Sequence, residues 1–162
     1  MTRRVRVITI TLMLVVVATG AWFVLGGRRA PASERVSAET LKQGGRLYQT
    51  NCAACHGERG EGKPNWKSPL ADGSYLPPPH DGSGHTWHHA DGLLFGIVQK
   101  GGAFAAPQGF KSSMPAWSGR LSDAEIVAVL EYIKTFWEPW QREAQAKASV
   151  LNPYPVRIEG GN

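Results

Sequence analysis

The stretch NCAACHG places Cys52, Cys55 and His56 within five residues. Two thiols three apart lie on one face of a helical turn, and an imidazole follows at once. Three chemistries use such a set: a thiol–disulfide couple, half of a zinc site, or covalent attachment of a c-type haem with His56 as iron ligand. Cys52 and Cys55 are the only cysteines, which excludes a four-cysteine zinc site and any disulfide framework beyond this pair. A thioredoxin-like couple needs a helix start beside a parallel sheet, and no βαβ pattern is present to build one. The haem reading needs two thiols to form thioethers with two vinyl groups, a histidine that reaches the iron, and export from the cytoplasm.

The N-terminus accounts for the export. After Arg3, Arg4 and Arg6 comes an uncharged stretch from Val7 to Leu25, 19 residues long, followed by Arg28 and Arg29. At about 1.5 Å per residue a helix of this length crosses the ~30 Å hydrocarbon core. We expect residues 1–30 to form a transmembrane anchor, with Ala30-Pro31-Ala32 as the cleavage site if the segment is instead a removable leader. The same arginines explain the formal net charge of +5. From Ser33 onward 13 basic residues face 13 acidic ones, so the body is neutral and lacks the basic, aromatic-interleaved face of a nucleic-acid binder.

The elements that must position the motif follow in order. Residues 31–37 read as a polar linker, and AETLKQGGRLYQTN reads as a helix carrying Leu41, Leu47 and Tyr48 toward a core. Glu58 to Gly84 is rich in proline and glycine and shows no strand pattern. A loop this long needs something to wrap around. Asp91 to Lys100 predicts a short helix ended by Gly101. Ser122 and Glu125 form a capping box that opens a helix with Ile126, Val129, Leu130 and Ile133 on one face. Pro139 marks its end or a kink, residues 140–149 read as a further short helix, and LNPYPVRIEGGN reads as an extended tail. The expected fold is all-α, with long loops and a core too small unless a flat apolar cofactor completes it.

Over about 100 residues, Ala38 to Trp137, the chain resembles the class I cytochrome c family. Gly44, Tyr48 and Cys52 stand at successive intervals of four, as in that family's N-terminal helix. The resemblance implies that Gly44 lets this helix cross the C-terminal one closely, opposite an aromatic residue matched by Tyr132. It implies one covalent haem c on Cys52 and Cys55, with His56 and Met114 as axial ligands, Met114-Pro115 matching the family's ligand loop. It also implies that His56 donates its other ring N–H to a carbonyl near a proline, for which Pro69 and Pro78 are both candidates. The domain is expected over residues 38–140, with residues 141–162 as helix and tail.

His80, His85, His88 and His89 depart from the family pattern. On a helical turn His85, His88 and His89 would share a face and could hold a second metal, copper or zinc. The plainer expectation is that Trp87 and one histidine contact the haem propionates. Trp117, Phe136, Trp137 and Trp140 are expected to pack around haem and helix ends.

The expected function is single-electron transfer rather than catalysis, on the periplasmic side of a bacterial cytoplasmic membrane. Donors would be a quinol-oxidising complex or a dehydrogenase, and acceptors a terminal oxidase or reductase. The alternatives are a haem-based sensor in which Met114 leaves the iron, and a copper-handling protein using the His80–His89 segment.

Overall fold

The computed structural model describes residues 36–156. The expected anchor over residues 1–30 and most of the linker lie outside the described residues. Among those described, no helix is long and apolar enough to cross a membrane.

Helix α1 spans Ala38–Asn51 and starts where Ser37 accepts a hydrogen bond from Thr40 N at 3.0 Å. Cys52 ends it and opens a single turn, α2, over Ala53–His56. Gly57 stops that turn with φ +85°, a conformation that favours glycine. A long irregular stretch follows, broken by a 3₁₀ turn at Thr86–His88. Helix α3 covers Asp91–Lys100 and stops at Gly101, as its sequence predicts. Helix α4 covers Asp123–Ile133, with both bonds of the Ser122–Glu125 capping box formed. It runs into a 3₁₀ turn at Lys134–Phe136.

Pro139 neither ends nor kinks α4. It opens helix α5, Pro139–Ser149, at a first-turn position where its missing N–H leaves no intrahelical bond unmade. A second difference from expectation is a short parallel pair, β1 (Ser74–Tyr75) with β2 (Lys111–Ser112). Two-residue strands carry no periodicity to read in a sequence. This pair ties the proline-rich loop to the segment that carries Met114.

Helices α1 and α4 cross at Gly44. A Cβ there would lie 1.9 Å from Ala128 O and 3.0 Å from Tyr132 Cβ, so only glycine permits the approach. Tyr48, one turn on, is fully buried, its ring 5.6 Å from that of Tyr132 and 5.5 Å from that of Phe136. Its hydroxyl donates to Gly57 O at 2.8 Å, which fixes the end of the cysteine turn. The rest of the core comes from Leu94 and Phe95 of α3, Ile126 to Ile133 of α4, and Trp137.

Leu151–Val156 is irregular, as expected, but it docks on the helices. Gly92 N donates to Asn152 O at 2.9 Å, and Tyr154 OH donates to Glu131 Oε1 at 2.9 Å. Lys134 Nζ lies 2.8 Å from Asp91 Oδ1 and 2.6 Å from Glu131 Oε1. Gln145 Nε2 donates to Asp91 Oδ1 at 2.7 Å. One enclosed polar network thus joins the start of α3, the end of α4, α5 and the tail.

Candidate cofactor cavity

A cavity of about 470 Å³ opens between α2, α3, α4 and the two long loops. Its walls are mainly apolar, with Leu94, Ile97, Val98, Leu121, Val129 and Ile133 supplied by three elements. Cys52, Cys55 and His56 line it from α2, and Met114 lines it from the loop before α4.

His56 is buried, and its Nδ1 lies 2.9 Å from Pro78 O. Of the two prolines considered, Pro78 provides the acceptor; Pro69 instead bridges to Tyr75. With Nδ1–H donated to a carbonyl, the Nε2 lone pair is left for a metal. Burial pushes the imidazole below its ordinary pKa, against the Pro78 hydrogen bond, and Lys63 adds to the lowering. The neutral, ligating form is therefore favoured.

Burial, with Cys55 nearby, pushes the Cys52 thiol up to about 11. A reactive redox couple needs the opposite, a depressed thiol beside a helix start or a cation. The described residues also provide no sheet beyond the two-residue pair.

Met114 is positioned by the end of α3. The last carbonyls of a helix lack intrahelical partners. Here Val98 O and Gln99 O accept from Trp117 N at 3.1 Å and Ser118 N at 3.0 Å, which folds the loop back over α3. Gly102 N donates to Met114 O at 3.1 Å. A Cβ on Gly102 would lie 2.2 Å from Ser112 Oγ and 2.8 Å from Met114 Cβ.

The histidine segment does not form the face that a helical turn would give it. His85 and His89 line the cavity, their rings 5.1 Å apart, and His85 stacks on Trp66 at 5.2 Å. His88 is exposed and stacks on Trp87 at 3.6 Å, away from that wall. Among the described residues no three His, Cys, Asp or Glu side chains converge to hold an ion. A second metal at His85, His88 and His89 therefore gains no support from the described residues. The 3₁₀ turn is only three residues long and His89 is already extended, so His88 does not share the face that His85 and His89 present.

Trp87 is absent from the lining residues and packs between His88 and Trp140. Its Nε1 is buried without a hydrogen-bond partner among the described residues. Trp117 lines the cavity, Trp137 is buried, and Trp140, though 58% exposed, packs edge-on against Trp87 at the start of α5.

Sequence reasoning missed two features. His80 lines the cavity and stacks on His56, with ring centroids 4.0 Å apart. Tyr75 and Phe110 stack at 5.2 Å beside the β1–β2 pair and also line the cavity. Both pairings join residues more than 20 positions apart, so no local spacing signals them.

Two thiols on one turn, a neutral imidazole with one nitrogen free, a thioether from the opposite loop and an apolar wall fit a large, flat, iron-bearing macrocycle held covalently. Comparison with known proteins points to the same kind of cofactor. The family model described as Cytochrome c matches residues 41–137. The Cbb3-type cytochrome c oxidase subunit CcoP of Azospirillum brasilense is 33% identical over 96 residues, 59% of this chain and 28% of that protein. The Cbb3-type cytochrome c oxidase subunit FixP of Azorhizobium caulinodans is 35% identical over 95 residues, 58% of this chain and 26% of that protein. The match thus spans about a quarter of the length of these curated relatives.

Proposed function

Because the chain belongs to the cytochrome c family and carries covalently bound haem c, we propose that it is a mono-haem electron carrier of a bacterial cytoplasmic membrane, with its haem domain on the periplasmic side. The observation that carries this reading is that Cys52, Cys55 and His56 from α2 and Met114 from the opposite loop line one apolar cavity.

When bound, the haem supplies a one-electron couple between Fe(III) and Fe(II). The chain's residues set how that couple behaves. Cys52 and Cys55 hold the group by thioethers. His56, buried and hydrogen-bonded to Pro78 O, would offer Nε2 to the iron. Met114, whose backbone carbonyl accepts from Gly102 N, would supply its thioether as the second iron ligand. Two ligands supplied by fixed side chains would leave little to rearrange during electron transfer. A thioether and an imidazole as iron ligands, in a largely apolar wall, would raise the reduction potential.

The membrane setting rests on Val7 to Leu25, whose length and lack of charge suit a single crossing. The acceptor we favour is a terminal oxidase, because the relatives are oxidase subunits by name. A quinol-oxidising complex or a dehydrogenase would be the donor.

The visible spectrum of the oxidised protein tests the ligand set. The weak long-wavelength charge-transfer band of methionine sulfur on ferric haem is expected in the wild type and absent in Met114→Ala. A wild type without that band would exclude Met114 as ligand and reopen the sixth position.

A further inference from the structure

His56 is fixed by a hydrogen bond at one corner of its ring. Such a bond sets the tautomer and the position of Nδ1, but hydrogen bonds tolerate broad angular spread, so one bond leaves the ring plane free to tilt. The plane matters, because the orientation of an axial imidazole decides which iron d orbital it overlaps.

His80 supplies the missing constraint. Its ring lies against the His56 ring at 4.0 Å between centroids, with planes 23° apart. It is held at every polar point of its backbone and at one side-chain nitrogen. Its N–H donates to Gly60 O at 2.6 Å, and its carbonyl accepts from Trp137 Nε1 at 2.7 Å. Its Nδ1 lies 3.0 Å from Thr86 Oγ1, whose hydroxyl donates to Pro79 O at 3.3 Å. A hydroxyl already donating to Pro79 accepts from His80, so Nδ1 carries the proton and the ring cannot turn without breaking that bond. Thr86 and Trp137 are both buried, so neither partner is free to move.

We propose that His80 is a positioning residue for the iron ligand: a second imidazole, anchored through Thr86 and Trp137, whose face sets the plane of His56. The inference rests on the reading that His56 ligates haem iron. It connects the junction of α4 and α5, through Trp137, to the iron's coordination.

The test uses electron paramagnetic resonance of the oxidised, haem-loaded full chain, comparing wild type with His80→Leu, His80→Ala and His80→Phe. Low-spin ferric haem reports the orientation of its axial ligands in its g values, and a distribution of orientations broadens the signal. We expect His80→Leu and His80→Ala to shift and broaden the largest g value, while His80→Phe, which keeps a flat ring on His56, retains the wild-type position and width. Leucine keeps the volume filled, so its effect is separable from a packing void, and a purely structural role would lower the melting temperature without moving g. Wild-type signals in the Leu and Ala variants would overturn the proposal. So would equal changes in Leu, Ala and Phe, which would assign the effect to the polar edge of the ring and not its face. A wild type lacking a low-spin signal would refute the ligand set itself, an outcome distinct from either.

Discussion

A methyl group at Gly44 would sit 1.9 Å from the backbone oxygen of Ala128, a distance that no rotamer change relieves because the obstructing atom is main chain. Gly44→Ala must therefore push α1 and α4 apart. Overpacking of this kind costs about 1–3 kcal/mol, and urea unfolding of the haem-loaded protein should show a lower midpoint with little change in slope. Gly45 offers a control, since a Cβ there meets only the Tyr132 ring at 3.1 Å, and its substitution should be tolerated better. Gly44, Tyr48 and Cys52 were legible in sequence because helical periodicity relates them. The His56–His80 stack was not, because 24 positions of irregular chain separate the two rings.

Helix α4 carries the largest share of the core and depends on its two ends. At its start Ser122 Oγ accepts from Glu125 N, and Glu125 Oε2 accepts from Ser122 N at 2.9 Å. Ser122→Ala should cost about 1 kcal/mol, read as a fall in melting temperature. The Ser122 backbone and hydroxyl hold the Glu125 carboxyl below its ordinary value. A depressed folded-state pKa means that the contribution is present above the unfolded value and lost as pH falls through the folded one. The gap between wild type and Glu125→Gln should therefore be full near neutral pH and shrink on acidification below the carboxylate range; a gap that grew would contradict the capping role. At the other end, Lys134 is the cation between Asp91 and Glu131, with only 16% of its side chain exposed. Lys134→Met would strand two enclosed carboxylates, and breaking such a pair costs about 3–5 kcal/mol. Thermal unfolding is expected to show this as the largest loss among these helix-end substitutions. The capping box is a four-residue pattern and was readable, whereas the Lys134 network joins α3, α4, α5 and the tail and has no local signature.

At the scale of the molecule, a cavity of about 470 Å³ bounded by three helices means that the protein's own side chains do not complete its core. The haem is then part of the folding free energy, since a group bound by the native state alone stabilises it. Replacing Cys52 and Cys55 together by serine should abolish covalent attachment and leave a chain with much reduced helical circular dichroism, in which the capping and crossing features no longer suffice. Retained native-like helicity without haem would show that the core is self-sufficient. The proposed anchor gives a separate prediction. The full chain should stay with membranes through a high-salt wash, and a form beginning at residue 31 and exported by a cleavable leader should be soluble and spectrally unchanged.

The α1–α4 crossing and the Met114 loop were legible only through the family resemblance, whereas the Cys52–Cys55–His56 spacing and the all-α class were readable from the sequence by itself, because each rests on short spacings or on helical periodicity. Local geometry alone relates the residues in such patterns. Tertiary structure decided what lies across loops. It chose Pro78 over Pro69 as the acceptor for His56, parted His88 from His85 and His89, and packed Trp87 between His88 and Trp140. It also brought His80 onto His56. Irregular backbone has no fixed period, so the direction of a side chain within it depends on the hydrogen bonds and packing that the rest of the fold provides.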